Sequence, residues 1–169
     1  MKKKLLITGF DPFGGATINP AWEAVKLLPD QVGDFELTKL EIPTVFGLAA
    51  KTVIAKAEEI HPNMILCIGQ AGGRAAVTPE RIAVNIRDAK IQDNAGNQPI
   101  CEFVAADGPA AYFATVPVRE MVGAINAAGI TAALSLDAKK FGKQIEFAVK
   151  ENYSHLPSDS YESVNGESQ

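Results

Sequence analysis

Two glycine-rich segments carry the side chains that could do chemistry. The segment GFDPFGG contains Phe10 and Phe13, and GQAGGR, residues 69–74, is followed six residues later by Glu80 in TPERIAVN. Two aromatic rings can wall an apolar pocket for a small ring. The glycine-rich turn could bring N–H groups to an anion, although it has neither the Walker nor the dinucleotide-binding spacing. By themselves, the phenylalanines fit ordinary loop packing equally well, and Glu80 fits a solvated glutamate at a strand start.

The cysteines and histidines are few and widely separated. Cys67 lies within the apolar run MILCIG, which predicts a buried, inert thiol, whereas Cys101 follows the turn-rich NQPI and is predicted to be a surface thiol. His61 lies in the turn HPN, at the end of the sheet opposite the glycine-rich segments, and His155 lies in a polar tail. None of these has metal-ligand spacing, so we expect no metal and no cofactor.

The apolar periodicity predicts the elements that position these residues. LLITGF, FELTKLEI, MILCIG and TAALSL read as strands, and FGLAAKTVIAKAEEI and VREMVGAINAAG as helices, the second ended by Gly129. A further helix, NPAWEAVKLL, begins with Asn19 as its N-cap and Pro20 at its first position. This order predicts an α/β three-layer sandwich, with a mostly parallel twisted sheet and helices on both faces. Ligands of such sheets bind beyond the carboxyl ends of the strands, where GFDPFGG and GQAGGR follow theirs.

Composition narrows the class of protein and its partners. A chain of 169 residues with 47% hydrophobic content suits one globular domain. The net charge of -4, with no basic run interleaved with aromatic residues, argues against nucleic acid as a partner. No stretch approaches the roughly 20 apolar residues of a membrane span, and the apolar run in MKKKLLITGF is too short for a signal peptide. We therefore expect a cytoplasmic protein with no membrane partner.

Several motifs together resemble one known family. GFDPFGG, IPTVFG, GQAGGR with TPERIAVN, DAKIQDNAGNQP and GPAAYFATVPV follow in order over about residues 1–135 and resemble the pyroglutamyl peptidase I (pyrrolidone-carboxylate peptidase) family. The resemblance implies a cysteine peptidase that removes N-terminal pyroglutamate (5-oxoproline) from peptides. It assigns to Glu80 the acidic role beside a Cys–His pair, and to Phe10, Phe13, Asn19 and Gln70 the binding of the lactam ring. Aromatic walls with amide donors and acceptors suit that flat, uncharged ring.

The resemblance stops abruptly at Ser135 or Leu136. The sequence there reads LDAKKFGKQIEFAVKENYSHLPSDSYESVNGESQ, in which neither the family's cysteine nor its histidine is recognisable. We therefore predict a single pyroglutamyl-peptidase-like domain over residues 1–153 whose C-terminal portion is incomplete. Within it, residues 136–153 form a divergent amphipathic helix, and residues 154–169 follow as a disordered tail.

Three functional interpretations remain open. The first is a pyroglutamyl peptidase by descent that keeps the ring-binding residues and Glu80 but has lost the nucleophile and base, and is inactive. The second is a true hydrolase that uses another residue, for example Cys101. The third is a non-catalytic binder of pyroglutamyl ends, or a regulator of a full-length relative. Members of the family form homo-oligomers, so the resemblance also allows a homo-oligomer here.

Overall fold

A four-stranded, mostly parallel sheet organises the chain. The computed structural model describes residues 2–135, so the predictions for 136–153 and 154–169 lie outside it. In chain order the elements are β1 (Lys3–Phe10), α1 (Pro20–Leu27), β2 (Gln31–Val32), β3 (Phe35–Ile42), α2 (Leu48–Ile60), β4 (Met64–Ile68), β5 (Ile82–Val84), β6 (Ala111–Phe113) and α3 (Val118–Ala127). The strand order is β2-β3-β1-β4, with β1 parallel to both β3 and β4 and β2 antiparallel to β3. The predicted sheet is confirmed, and the two-residue β2 is an addition to it.

One face of the sheet is covered by α2. Side chains alternate along a strand, so β1 sends Leu6 to one face and Ile7 to the other. Leu6 and Ile42 pack against Ala49 and Val53 of α2, and all four are fully buried.

The opposite face is covered by α1. Ile7 and Leu37 of the sheet pack against Val25 of α1. The helix approaches so closely at Gly9 that a Cβ atom there would lie 2.6 Å from the Cα of Trp22. Helices therefore cover both faces, which confirms the predicted three-layer sandwich.

The helix ends follow the predicted signals. The side chain of Asn19 caps α1, and Pro20 occupies its first position. After α2, His61 adopts the left-handed conformation with φ of 48°, and after α3 Gly129 does so with φ of 80°. A left-handed residue is a common way to end a helix, and the sequence predicts both stops.

A second, two-stranded sheet lies outside the parallel sheet. β5 and β6 pair antiparallel, with Ile82 opposite Phe113 and Val84 opposite Ala111. The predicted strand TAALSL does not form a continuous ladder within the described residues. It makes isolated parallel bridges instead, between Ala132 and Val77 and between Ser135 and Glu80.

The prediction of a buried Cys67 was wrong. Cys67 is exposed, and none of the five residues of β4 is fully buried. Among the described residues β4 pairs with β1 along one edge and ends the strand order. A continuous apolar strand is typical of a sheet covered on both faces, but in the described residues β4 is the last strand of the sheet and its Cys67 side is not fully covered.

Candidate active site

Three loops meet at the carboxyl edge of the parallel sheet. Gly9 pairs with Ile68, and Phe10 pairs with Ile42, so β1, β3 and β4 end side by side. The loops that begin there are residues 11–19, 43–47 and 69–81. The structure thus places both glycine-rich segments at one edge, as the fold class predicted.

The first loop carries the two phenylalanines. Phe10 ends β1, half-buried, and packs against the core beneath α2, and Phe13 is also half-buried. The chain then turns through Gly14 and Gly15, whose φ values of 62° and 81° are left-handed. The N–H of Ala16 donates to the carbonyl of Phe13 at 3.2 Å. A turn of this kind needs glycine, since other residues are strained at such φ values.

Asn19 is buried at the end of the same loop. Its Oδ1 accepts from the N–H of Ala21 at 3.0 Å, and its Nδ2 donates to the carbonyl of Asp11 at 3.0 Å. Only 2% of Asn19 is exposed. A side-chain amide has two N–H donors and two lone pairs, so these two bonds use half of its capacity. Asn19 can therefore brace the loop and still bind a polar ligand atom.

Gln70 lies exposed in the loop that follows β4, beside the carboxyl end of β1. Around it, Gly69 and Gly72 face open space, because a Cβ at either would meet no heavy atom within 4 Å. The structure therefore presents the Gln70 amide at the edge that carries Phe10. These residues share one edge, as a common ring-binding site requires.

Glu80 is tied to the glycine-rich turn by Arg74. Nη1 of Arg74 donates to Oε1 of Glu80 at 3.2 Å and to Oγ1 of Thr78 at 2.6 Å. Both charged side chains are only partly exposed, at 23% and 31%. On its backbone side Glu80 forms the bridge with Ser135. Arg74 thus holds the carboxylate of Glu80, and the bridge to Ser135 holds its backbone.

Sequence reasoning missed the Arg74–Glu80 ion pair. A separation of six residues in a loop belongs to no helix or strand period, so no pattern signals the contact. The sequence marks Arg74 only as the last residue of a turn that could approach an anion. In the structure the guanidinium of Arg74 pairs with the carboxylate of Glu80 in the same loop, and the prediction that the N–H groups of the turn approach an anion stays a prediction.

The cysteines differ from one another in setting. Although Cys67 is exposed as a residue, desolvation by the surrounding chain raises the pKa of its thiol, and the nearby hydroxyl of Thr8, its partner across the sheet, lowers that pKa by less. A raised pKa keeps the thiol protonated near neutral pH, which disfavours nucleophilic attack. Cys101 is exposed, as predicted, and is left-handed with φ of 52°.

Neither histidine completes a catalytic set within the described residues. His61 is exposed and follows α2, at the amino end of β4 and away from the glycine-rich loops, as predicted. His155 lies outside the described range. Residues 2–135 also contain no group of three His, Cys, Asp or Glu side chains able to hold a metal ion. In that same range, no helix has the length and apolar character to cross a bilayer.

Comparison with known proteins connects this arrangement to one family. The model of the family described as pyroglutamyl peptidase matches residues 3–159. Over 138 residues the chain is 51% identical to the pyrrolidone-carboxylate peptidase of Staphylococcus saprophyticus and 53% identical to that of Streptococcus pyogenes. These alignments cover 82% of this chain but 65% and 64% of those relatives.

Solved structures agree with the sequence comparison. The crystal structure of Bacillus amyloliquefaciens pyroglutamyl peptidase I matches with a TM-score of 0.78 and 46% identity, covering 80% of this chain and 66% of that one. The pyrrolidone carboxyl peptidase of Thermococcus litoralis matches with a TM-score of 0.77 and 41% identity, over 80% and 62% of the two chains. This chain spans just under two thirds of the length of each of these proteins.

Proposed function

The chain belongs to the pyroglutamyl peptidase family, and we propose that it recognises the N-terminal pyroglutamate of peptides at the carboxyl edge of its sheet. One observation carries the proposal. Loops bearing Phe10, Phe13, Asn19 and Gln70 begin or end at that single edge, in a chain about half identical to pyrrolidone-carboxylate peptidases. The ligand class is a small, uncharged lactam at the start of a peptide.

The chemistry of these side chains suits a lactam. The ring offers apolar faces, one N–H donor and one carbonyl acceptor, and it carries no charge. In our proposal Phe10 and Phe13 contact its faces, the remaining N–H of Asn19 donates to its carbonyl, and Gln70 accepts from its N–H. Few, well-placed polar groups in an otherwise apolar site are typical of small-ligand binding.

The family reaction needs more than ring binding. A thiolate attacks the carbonyl carbon of the bond after pyroglutamate, an imidazole transfers the proton to the departing amine, and a carboxylate orients that imidazole. We assign the orienting role to Glu80, whose carboxylate is held by Arg74. This role requires a base beside it.

We propose that this chain binds pyroglutamyl ends without turning them over. His61 precedes β4, whereas the loop that bears Glu80 follows it, so the two depart from opposite ends of that strand, and the raised pKa of Cys67 disfavours its thiolate. Residues 136–169 contain one histidine, His155, and no cysteine. Loss of nucleophile and base in studied triads costs on the order of a millionfold in turnover.

A hydrolysis assay tests this proposal. The purified full chain is incubated with a chromogenic pyroglutamyl amide, with and without prior iodoacetamide, beside Cys67→Ser and Cys101→Ser variants. We expect every rate to equal the buffer background. A rate above background that iodoacetamide removes would contradict the proposal, and the variant that loses it would identify the substitute thiol.

A second candidate function is regulation of a full-length relative. Two observations favour it. The residues that we assign to the lactam ring lie at one edge of the sheet, and His61, the histidine of residues 2–135, lies at the amino end of β4. A chain that sequesters pyroglutamyl peptides should raise the apparent KM of an active pyroglutamyl peptidase without changing its kcat. A fall in kcat would indicate direct pairing of the two proteins instead.

A further inference from the structure

Asp11 occupies a central position among the loops of the candidate site. It lies between Phe10 and Phe13, directly after β1. Its Oδ1 accepts from the N–H of Thr44 at 2.6 Å and from Nδ2 of Asn94 at 3.3 Å. One carboxylate oxygen therefore joins the first loop to two segments that are distant in sequence.

The backbone of Asp11 is equally engaged. Its N–H donates to the carbonyl of Ile42 at 2.9 Å, which extends the pairing of β1 and β3 beyond Phe10. Its carbonyl accepts from Nδ2 of Asn19 at 3.0 Å and from Oγ1 of Thr44 at 3.2 Å. Asn19, whose side chain we assign to the lactam carbonyl, is thus held by Asp11, which lies between the two phenylalanines.

The turn at residues 93–97 completes this arrangement. Nδ2 of Asn94 also donates to the carbonyl of Pro12 at 2.8 Å, and its N–H donates to the carbonyl of Thr44 at 3.0 Å. The neighbouring Asp93 accepts from the N–H of Phe46 at 2.8 Å. Three segments are therefore joined around Asp11 by both side-chain and backbone hydrogen bonds.

We propose that Asp11 is a positioning residue that fixes the segment 10–19 for pyroglutamyl recognition, an inference that rests on the proposed function. The loop itself is exposed from residue 14 to residue 18 and turns through two glycines, which provide no rigidity of their own. Its order must come from hydrogen bonds to neighbours. An ionised acceptor makes these bonds stronger than a neutral one would.

Two readouts on the full chain test this role. Amide hydrogen exchange at Ala16 and Thr44 reports loop order without any ligand, since Ala16 donates within the loop and Thr44 donates to Asp11. Calorimetry with a pyroglutamyl dipeptide amide reports recognition. Asp11→Ala should raise exchange at both amides and weaken binding by roughly tenfold to a hundredfold, the range for one charged hydrogen bond.

Two further variants separate positioning from general damage. Asp11→Asn keeps an acceptor at Oδ1 but loses its charge, so its exchange rates and affinity should lie between those of Asp11→Ala and wild type. Asn63→Ala is the matched control, because Asn63 accepts from the N–H of Lys4 at 2.8 Å at the opposite end of the sheet. It should leave both readouts unchanged. If Asp11→Ala does not fold, Thr44→Val removes one bond to the Asp11 carbonyl and should show smaller changes of the same kind.

The outcomes distinguish the two proposals. Unchanged exchange at Ala16 in the Asp11→Ala or, failing that, the Thr44→Val variant would overturn the positioning role, whatever the ligand does. The positioning role would also be overturned if the wild-type chain binds the dipeptide and a variant with raised exchange binds it with the same affinity. A wild-type chain that binds no dipeptide would contradict the proposed function, and the exchange rates alone would then decide whether Asp11 holds the segment.

Discussion

Replacing Gly9 with alanine should destabilise the chain by pushing α1 away from the sheet. A Cβ at Gly9 would lie 2.6 Å from the Cα and 2.8 Å from the backbone nitrogen of Trp22. It would also lie 3.1 Å from the carbonyl carbon of Ala21. These are main-chain atoms of a helix, so no side-chain rotation relieves the contact.

The size of the effect follows from that geometry. Ordinary contacts begin near 3.4 Å, so α1 must retreat by about 0.8 Å at Trp22. The retreat loosens Val25, which is 1% exposed, from Ile7 and Leu37. Overpacking of a core typically costs about 1–3 kcal/mol, and we expect Gly9→Ala in the upper half of that range because the backbone itself must move.

Urea denaturation followed by the fluorescence of Trp22 measures this effect, since Trp22 is the chain's one tryptophan and lies at the contact. Gly123→Ala is the matched control, because Gly123 lies in α3 and a Cβ added there would meet no heavy atom within 4 Å. It should stabilise by about 0.5–1 kcal/mol, as alanine favours helix. A Gly9→Ala chain as stable as wild type would refute the close packing of α1.

Three further results are expected. Arg74→Met should lower the free energy of unfolding by about 1 kcal/mol or less in urea melts, because its bond to Glu80 is part-exposed. Partial desolvation raises the pKa of Asp93, but hydrogen bonds from Asn97, Phe46 and Ala95 outweigh it, so the net pKa lies below the ordinary 3.8. In thermal melts at stepped pH, the difference in unfolding free energy between wild type and Asp93→Asn should thus have its largest value above about pH 4 and shrink as the pH falls further. Iodoacetamide should label Cys67 slowly at neutral pH and faster as pH rises, by mass spectrometry, because its pKa is raised.

The elements of the parallel sheet were predictable because each carries a repeated local signal. The alternation in FELTKLEI matches β3 from Phe35 to Ile42, and the cap and proline at Asn19 and Pro20 fix the start of α1. These signals involve residues that are close together in the chain, so they can be recognised from the sequence without the structure. By contrast, β2 and β6 have two and three residues, too few for a period to show.

The errors came from features that depend on partners elsewhere in the fold. Cys67 was predicted to be buried from its apolar neighbours, but its exposure depends on what packs over that face of β4, the last strand in the described order. TAALSL has strand composition, yet the described part of it pairs only at Ala132 and Ser135. Burial is decided by the whole sheet, which one segment cannot report.

In the candidate site, too, the location of the residues was predictable from the sequence, whereas the contacts that hold them were not. Phe10, Phe13 and Gln70 lie on or directly after strands that end side by side, so the parallel order of the strands predicts that they share one edge of the sheet. The contacts that hold them, from Asp11 to Thr44 and from Arg74 to Glu80, join residues with no periodic spacing. These contacts can be recognised only in the folded structure.

Titration calorimetry on the full chain tests the central claim most directly. A pyroglutamyl dipeptide amide and the matching glutaminyl dipeptide amide differ by one ammonia, because closure of the lactam joins the α-amino nitrogen to the side-chain carbonyl and releases the amide nitrogen. The glutaminyl compound therefore keeps an open side chain and a free amino group. We predict saturable heat with the pyroglutamyl compound and none with the glutaminyl one. Equal heats for both, or no heat with either, would contradict recognition of a pyroglutamyl end at this edge of the sheet.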